Sequence, residues 1–258
     1  VFSVTGPSIA ALELASPDPE RLAAFYVQAF DAACVDGAVL LGSQTICFRR
    51  VPMVTARLAL ANATSFQHFA VVVADMQAAM ARLGGLSGWE AITRGGPQHL
   101  PARSGGVTAF KFRDPDGHPL ELLAFPAGSA PEIWRQAGGL FPGIDHTAIT
   151  VLDTDRSVAF WRGLGFARVG GSVNTGVEQG ALDGLDAPVV EVTSLAGGGA
   201  APHVELLCYR EPQGVADARD LEDVLATRIV LAGAAGSVVA DPDGHRIAEA
   251  SQAKAYRP

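Results

Sequence analysis

The sequence predicts an α+β fold made of four tandem units of βαβββ type, and three internal echoes predict it. Asp-Pro-Asp-Gly-His occurs twice, at 114–118 and 241–245. Phe-Gln-His-Phe-Ala-Val-Val-Val-Ala-Asp at 66–75 is echoed by Ile-Asp-His-Thr-Ala-Ile-Thr-Val-Leu-Asp at 144–153, both reading His-x-Ala-(Val/Ile)-x-Val-x-Asp. Ala24-Phe25-Tyr26 is matched by Ala159-Phe160-Trp161, each a few residues after an acidic segment. Such self-similarity marks one supersecondary unit used repeatedly. It places the units at about 8–60, 66–126, 144–210 and 224–252. The first two make an N-terminal half, 1–126; a linker, 127–143, is rich in Pro, Gly and Ala and contains Trp134; the last two make a C-terminal half, 144–258, whose final unit is degenerate.

Each element has a local reason. In unit one, Asp18-Pro-Glu-Arg leads into a helix carrying Leu22, Phe25, Tyr26 and Ala29 at helical spacing. In unit two, 68–73 alternates around a β-branched run, as a strand does. Asp75 then stands as a helix N-cap before Met76, Ala79, Met80 and Leu83, and Gly84-Gly85 ends that helix. Val107–Arg113 reads as a strand, Asp114–Gly117 as a tight turn, and Pro119–Phe125 as the returning strand. Unit three repeats the plan. Asp153 or Asp155 starts a helix carrying Val158, Phe160, Trp161 and Leu164, Gly165 closes it, and Val189–Thr193 and His203–Tyr209 are strands around a Gly197–Gly199 hairpin loop. Unit four leaves little room for a helix between Ile229 and Val238.

Apolar residues at 48% and charged residues at 18% are the composition of a globular chain with ample core. The net charge of −8 gives no electrostatic footprint for nucleic acid or anionic lipid. A small-molecule substrate or ligand, or a protein, is therefore the expected partner, and the chain is expected to be a monomer or homodimer. No run of apolar residues is long enough for a membrane span. The first residues, Val-Phe-Ser-Val, show no basic stretch followed by an apolar one, so no signal peptide is expected and a cytoplasmic location is. The three cysteines, Cys34, Cys47 and Cys208, have no zinc or disulfide spacing; Cys47 and Cys208 read as strand-filling residues.

The candidate chemistry lies in units two and three. Unit two offers His68 early in its first strand and Glu121 inside Pro-Leu-Glu-Leu-Leu-Ala-Phe; unit three offers His146 and, in His-Val-Glu-Leu-Leu-Cys-Tyr, Glu205. A carboxylate inside an apolar strand is costly to bury unless a cation or donor meets it. Two carboxylates and two imidazoles in matched positions are accounted for by one divalent cation of Zn, Fe, Mn, Ni or Co type. Asn174, Glu178 and Gln179 sit on a Gly-containing stretch read as a loop, where Asn174 and Gln179 are candidate substrate contacts. His203 shares a strand face with Glu205 and is a third candidate contact. His118 and His245 follow turn glycines and read as structural; His99 lies in a loop within reach of a pocket.

With these residues the chain resembles the vicinal oxygen chelate superfamily, the glyoxalase, bleomycin-resistance and extradiol-dioxygenase group. The resemblance implies that paired units form open β-barrel-like cups, two for four units. It implies a metal held by a residue early in the first strand and a Glu in the last strand of each unit. His68, Glu121, His146 and Glu205 resemble the His/Glu/His/Glu set of glyoxalase I-like members, with 53 residues from His68 to Glu121 and 59 from His146 to Glu205. By that resemblance Glu121 or Glu205 is the catalytic base of a metal-dependent isomerase or lyase. The outer units depart from the pattern. Ile9 is read at the place of His68 in unit one, no Glu stands near Arg57–Leu60, and Ala248 replaces Glu121 in unit four, with Glu249 on the opposite face. If units two and three face each other, one four-ligand site exists; if units pair sequentially, as in the extradiol dioxygenases, each cup receives one His and one Glu. A metal-free, resistance-type binding protein and, behind it, a dioxygenase are the other functions the resemblance implies.

Overall fold

The structure, a computed structural model, describes residues 6–52, 58–220, 223–232 and 238–250. Unit one runs β1 (Ser8–Ser16), α1 (Pro19–Phe30), β2 (Ala33–Val35), β3 (Ala38–Leu41) and β4 (Gln44–Arg50). Unit two runs β5 (Gln67–Val72), α2 (Met76–Gly84), β6 (Glu90–Ala91), β7 (Gln98–His99), β8 (Thr108–Arg113) and β9 (Pro119–Ala124). The linker carries a short helix, α3 (Glu132–Ala137). Unit three runs β10 (Gly143–Thr150), α4 (Thr154–Gly163), β11 (Ala167–Thr175), α5 (Val177–Asp183), β12 (Val189–Ala196) and β13 (His203–Glu211); unit four keeps β14 (Arg228–Ala232), β15 (Val239–Ala240) and β16 (Arg246–Glu249). The stretch between β14 and β15, where room for a helix is short, lies largely outside the described residues.

The three long helices start alike. The side chains of Asp18, Asp75 and Asp153 accept from the backbone N–H groups of Arg21, Ala78 and Arg156, at 3.1, 3.0 and 2.9 Å. Each satisfies a donor that the first helical turn leaves without a partner, a contribution of about 1 kcal/mol. Apolar spacing then turns one face inward: Leu22, Phe25, Tyr26, Ala29 and Phe30 of α1 are buried.

The strands form two open sheets. One has the order β15-β16-β14-β1-β4-β3-β2; the other runs β11-β12-β13-β10-β5-β9-β8-β6, with β7 also on β8. Units one and four therefore share the first sheet, and units two and three share the second. Each half of the chain gives one unit to each sheet, so the arrangement is the one that can bring His68, Glu121, His146 and Glu205 together. Both sheets join their units through an antiparallel central pair, β1 with β14 and β5 with β10, and each pair carries an irregularity at a matching place, between Ile9 and Ala11 and between Ile144 and His146.

Period-two alternation divides each sheet between two environments. Leu12, Leu14, Ile46, Ile229 and Ile247 of the first sheet share one core with Phe69, Val71, Leu120, Leu122 and Ile149 of the second, and with the buried faces of the helices. The opposite face of the second sheet lines the cup. The repeated Asp-Pro-Asp-Gly-His turns pin the hairpins. Asp114 Oδ1 accepts from the backbone N–H of Asp116 and of His118, while Oδ2 accepts from Tyr26 Oη at 2.9 Å and meets His118 Nδ1 at 2.9 Å. Asp241 Oδ1 accepts from the N–H of Asp243 and His245, and His245 Nε2 lies 2.8 Å from the carbonyl of Thr150. His118 and His245 are structural, as their position predicts.

Three local expectations differ from the structure. The last strand of unit one is β4, not the stretch near Arg57–Leu60: residue 57 lies outside the described residues and 58–60 form no strand. Apolar content there, without alternation, gave a false strand signal. Residues 177–183, read as part of a loop, form α5. The linker holds α3, whose Trp134 is buried and donates from Nε1 to Asp145 Oδ1 at 3.0 Å.

Candidate metal centre

Register assembles the site. In the parallel pair β5/β9, Ala70 faces Glu121; in β10/β13, Ala148 faces Glu205. In the antiparallel pair, His146 faces Ala70 and Ala148 faces His68. Residues opposite each other point to the same side of a sheet, so all four candidates stand on the cup face around the seam between units. His68, Glu121 and His146 bring ligand atoms within 4.8 Å of one another. His68 Nε2 is 3.0 Å from Glu121 Oε2, and the His68 and His146 ring centroids are 5.8 Å apart. Glu205 Oε2 is 3.7 Å from His146 Nε2, outside that tight group of three.

These residues fit a metal. Both ring nitrogens of His68 are buried without a hydrogen bond, despite the approach of Nε2 to Glu121. Two donors about 2.1 Å from one ion at right-angle to tetrahedral geometry lie roughly 3.0–3.4 Å apart, which matches that contact. Burial, then the Lys111 cation, lower the His68 pKa to about 4, so its imidazole is neutral at pH 7, the form that coordinates. His146 Nδ1 lies 3.1 Å from Asp145 Oδ2, a carboxylate partner that orients the ring and leaves Nε2 for the site. Burial opposes charge on His146, but Glu205 and Asp145 overcome it and raise its pKa to about 9. Glu205 is held well below its ordinary range, against burial, by His146 and His203. A proton on His146 thus compensates the carboxylates where a cation would.

Behind these ligands lies a charged floor. Lys111 Nζ is 2.7 Å from Asp183 Oδ1 and 3.8 Å from Glu121 Oε2. Asp183 Oδ2 also accepts from Gln179 Nε2 at 2.7 Å and Tyr209 Oη at 2.9 Å. Despite its burial Lys111 is raised above its ordinary pKa by Asp183 and Glu121, while Lys111 lowers Glu121 against the opposing effect of burial. Lys111, Asp183, Tyr209 and Asp145 are not found by motif reading. Lys111 had a signal: the Asp114–Gly117 turn sets the hairpin register that places it opposite Glu121. Asp183 comes from α5, which the repeat does not contain in unit two.

The cavity above holds about 190 Å³, with His68, Glu121, His146 and Glu205 in its wall. Asn174 and Gln179, both buried, line it as well. Asn174 Oδ1 accepts from Ser172 Oγ at 2.8 Å. His203 stands beside this wall rather than in it, with Nε2 3.4 Å from Glu205 Oε1, an oxygen that also accepts from Ser194 Oγ at 3.2 Å. His99 is exposed on β7, next to Thr108 Oγ1. Glu178 sits in the first turn of α5 and does not line the cavity.

The first sheet has no such centre at the corresponding positions. Matching the two central irregularities puts Ala11, not Ile9, at the place of an early-strand His; it lies seven residues before the cap Asp18, as His68 lies seven before Asp75. The other three places fall to Arg228, Cys47 and Ala248, since Cys47 faces Glu13 and Ala248 faces Val230. Glu13 there meets Arg228 Nη1 at 3.0 Å and Arg49 Nε at 3.1 Å, an ion-pair cluster in place of ligands.

Known proteins agree with the architecture. Residues 11–123 match the family model of a glyoxalase-like domain. The crystal structure of glyoxalase I from Zea mays is similar with a TM-score of 0.59 at 14% identity, over 95% of this chain and 92% of the maize chain. A point mutant of the maize enzyme is similar at 0.58 and 14%, over 95% and 93%. No curated protein matches in sequence. At such identities the likeness is one of fold.

Proposed function

We propose, on the premise that residues 11–123 are a glyoxalase-like domain of the vicinal oxygen chelate superfamily and that the chain has the glyoxalase I fold, that this protein is a divalent-metal enzyme. It acts on a small oxygenated molecule by moving a proton beside a carbonyl, in isomerase or lyase chemistry. The observation that supports this reading most is the convergence of His68, Glu121 and His146, from two different units, on one buried point. Glu205 completes the proposed ligand set.

A bound Zn, Fe, Mn, Ni or Co ion would supply a Lewis acid that polarises a substrate oxygen. The remaining work belongs to the chain. Asp145 orients His146. Lys111 offsets the charge of Glu121 on one side of the cavity. Ser194 and His203 hold the Oε1 atom of Glu205 on the other, which leaves Oε2 for the cavity. The two glutamates are the groups placed to take a proton from carbon and return it. Apolar walls from Leu123, Val190 and Leu207 limit competing water. The Lys111 cation, which offsets part of the carboxylate charge without a metal, favours a second reading as a metal-free small-molecule-binding protein.

Elemental analysis decides between them. Purified protein, and protein incubated with each of the five metals, is compared with Glu121→Ala and Glu205→Ala after circular dichroism confirms folding. About one metal per chain in the wild type, lost in both variants, is expected. No metal under any loading condition removes the enzyme reading and leaves the binding protein.

A further inference from the structure

Beside the proposed centre lies a second group of ligand atoms, nearer to solvent. Asp145, His146 and His203 bring ligand atoms within 4.8 Å of one another. Register puts them there: His203 on β13 faces His146 on β10, with ring centroids 5.4 Å apart, and Asp145 sits in the irregular step between Ile144 and His146. Asp145 Oδ2 lies 3.1 Å from His146 Nδ1 and 3.9 Å from His203 Nδ1. Two donors each about 2.0–2.2 Å from one ion stand no more than about 4.4 Å apart, so both contacts admit a shared ion.

The atoms are turned for the task. Trp134 Nε1 holds Asp145 Oδ1 at 3.0 Å, which leaves Oδ2 to the group. When His203 Nε2 carries the proton and donates to Glu205 Oε1 at 3.4 Å, the bare nitrogen of that ring is Nδ1. His146 turns Nδ1 to this group and Nε2 to Glu205 Oε2, 3.7 Å away. Glu205 thus reaches both groups, one oxygen to each histidine.

Exposure orders the two groups. Side-chain exposure falls from 25% at His203 through 15% at Asp145 and 7% at His146 to 1% at His68. Carrying a divalent charge to so buried a point is costly unless protein atoms replace its water in stages. The outer group supplies a first stage of three ligands. It is no permanent neighbour of the inner one, because a neutral imidazole has a single lone pair and His146 serves one group at a time. The inner group, with four proposed ligands against three, is the stronger holder.

We infer that Asp145, His203 and the Nδ1 side of His146 form an entry site, which takes a divalent ion from solvent and hands it to the buried centre. On arrival the ion displaces the Nδ1 proton of the His146 imidazolium to solvent. On hand-over Nε2 gives up its proton as it takes the ion, and Nδ1 regains one, so a single proton is released overall. Asp145 then returns to orienting the ring through Nδ1–H. The inference rests on the metal reading of the buried centre and adds the route by which that centre fills.

The test is stopped-flow loading of metal-stripped protein with Co²⁺, whose visible absorption reports entry into a protein ligand field, followed by release into excess chelator. Wild type is compared with His203→Gln, whose amide keeps a donor for Glu205 Oε1 and removes the imidazole; circular dichroism and thermal midpoints check folding. An entry site lies on the path in both directions and not at its end. Loading and release are therefore both expected to slow roughly tenfold in His203→Gln, with about one ion per chain at the end and the equilibrium affinity within about threefold of wild type. Unchanged rates, slower loading with a matching loss of affinity, or two ions per wild-type chain overturns the inference and leaves the buried centre standing. A wild type that takes up no Co²⁺ removes the metal reading, and the route with it.

Discussion

The repeated Asp-Pro-Asp-Gly-His turn predicts two unequal losses from one substitution. Asp114→Ala removes a fully buried carboxylate that accepts four hydrogen bonds: two backbone amides, Tyr26 Oη and His118 Nδ1. Tyr26 belongs to α1 of unit one, so the loss falls on a link between units as well as on the turn. Bonds to a charged acceptor contribute about 1.5–3 kcal/mol each, but they do not add, and point substitutions rarely exceed about 5 kcal/mol. About 4 kcal/mol is expected. Asp241→Ala removes the two amide bonds alone, and Asp241 Oδ2 is already a buried oxygen without a partner. Two bonds to that charged acceptor at about 1.5 kcal/mol each, less about 2 kcal/mol for the relief of its unpaired oxygen, give about 1 kcal/mol. Urea unfolding followed by near-ultraviolet circular dichroism reads the difference. At about 2–3 kcal/mol per molar urea, the Asp114→Ala midpoint should fall about 1 M below that of Asp241→Ala. Equal midpoints, or a lower one for Asp241→Ala, would refute the reasoning that partners beyond the turn set the cost.

Other expectations follow from the same contacts. Against the opposing effects of burial, His118 holds the Asp114 pKa below its ordinary 3.8 and Asp114 holds His118 above 6.5. The carboxylate contribution is present above pH 3.8 and lost as pH falls through the folded value; the imidazolium contribution is full below pH 6.5 and lost as pH rises through its folded value. Stability from the pair therefore peaks between 3.8 and 6.5, and His118→Gln should flatten the alkaline limb of a urea-midpoint profile. Lys111→Met leaves Asp183 charged and buried, so a loss of about 3 kcal/mol is expected, with less than the additive loss when Asp183→Asn is combined with it in a double-mutant cycle. Glu13→Gln disturbs the ion-pair cluster of the first sheet and should leave metal content unchanged by elemental analysis; a fall would move the centre to that sheet.

The helices and the ligand candidates were legible because their signals are local. Asp18, Asp75 and Asp153 announce helix starts through a side chain and a backbone amide three residues on, and these bonds form as the spacing implies. The matched His and Glu positions follow from the same repeat. Unit pairing was not legible, since β5 could have met β10 or remained within the N-terminal half, and nothing in either strand's composition selects the partner. The helix alignment that put Ile9 at the place of His68 was two residues out: counting back seven from the cap Asp18, as from Asp75, and matching the two central irregularities both point to Ala11.

The charged floor shows a second limit. Lys111 lies between the buried aromatics Phe110 and Phe112, which turn to the core while it turns to the cup. Its place opposite Glu121 was within reach of the hairpin register. Its partner Asp183 was not, because α5 is an insertion in unit three whose glycine-containing sequence reads as a loop. Burial against β8 and β11 makes it a helix that delivers Gln179 and Asp183 to the cavity, a tertiary effect that short-range propensity does not contain.

X-ray absorption fine structure of the zinc-loaded protein tests most directly whether units two and three hold one ion between them. The account predicts two imidazole nitrogens at about 2.0–2.1 Å in the wild type and one in each of His68→Ala and His146→Ala. Bound zinc whose imidazole count is unchanged in either variant would contradict it.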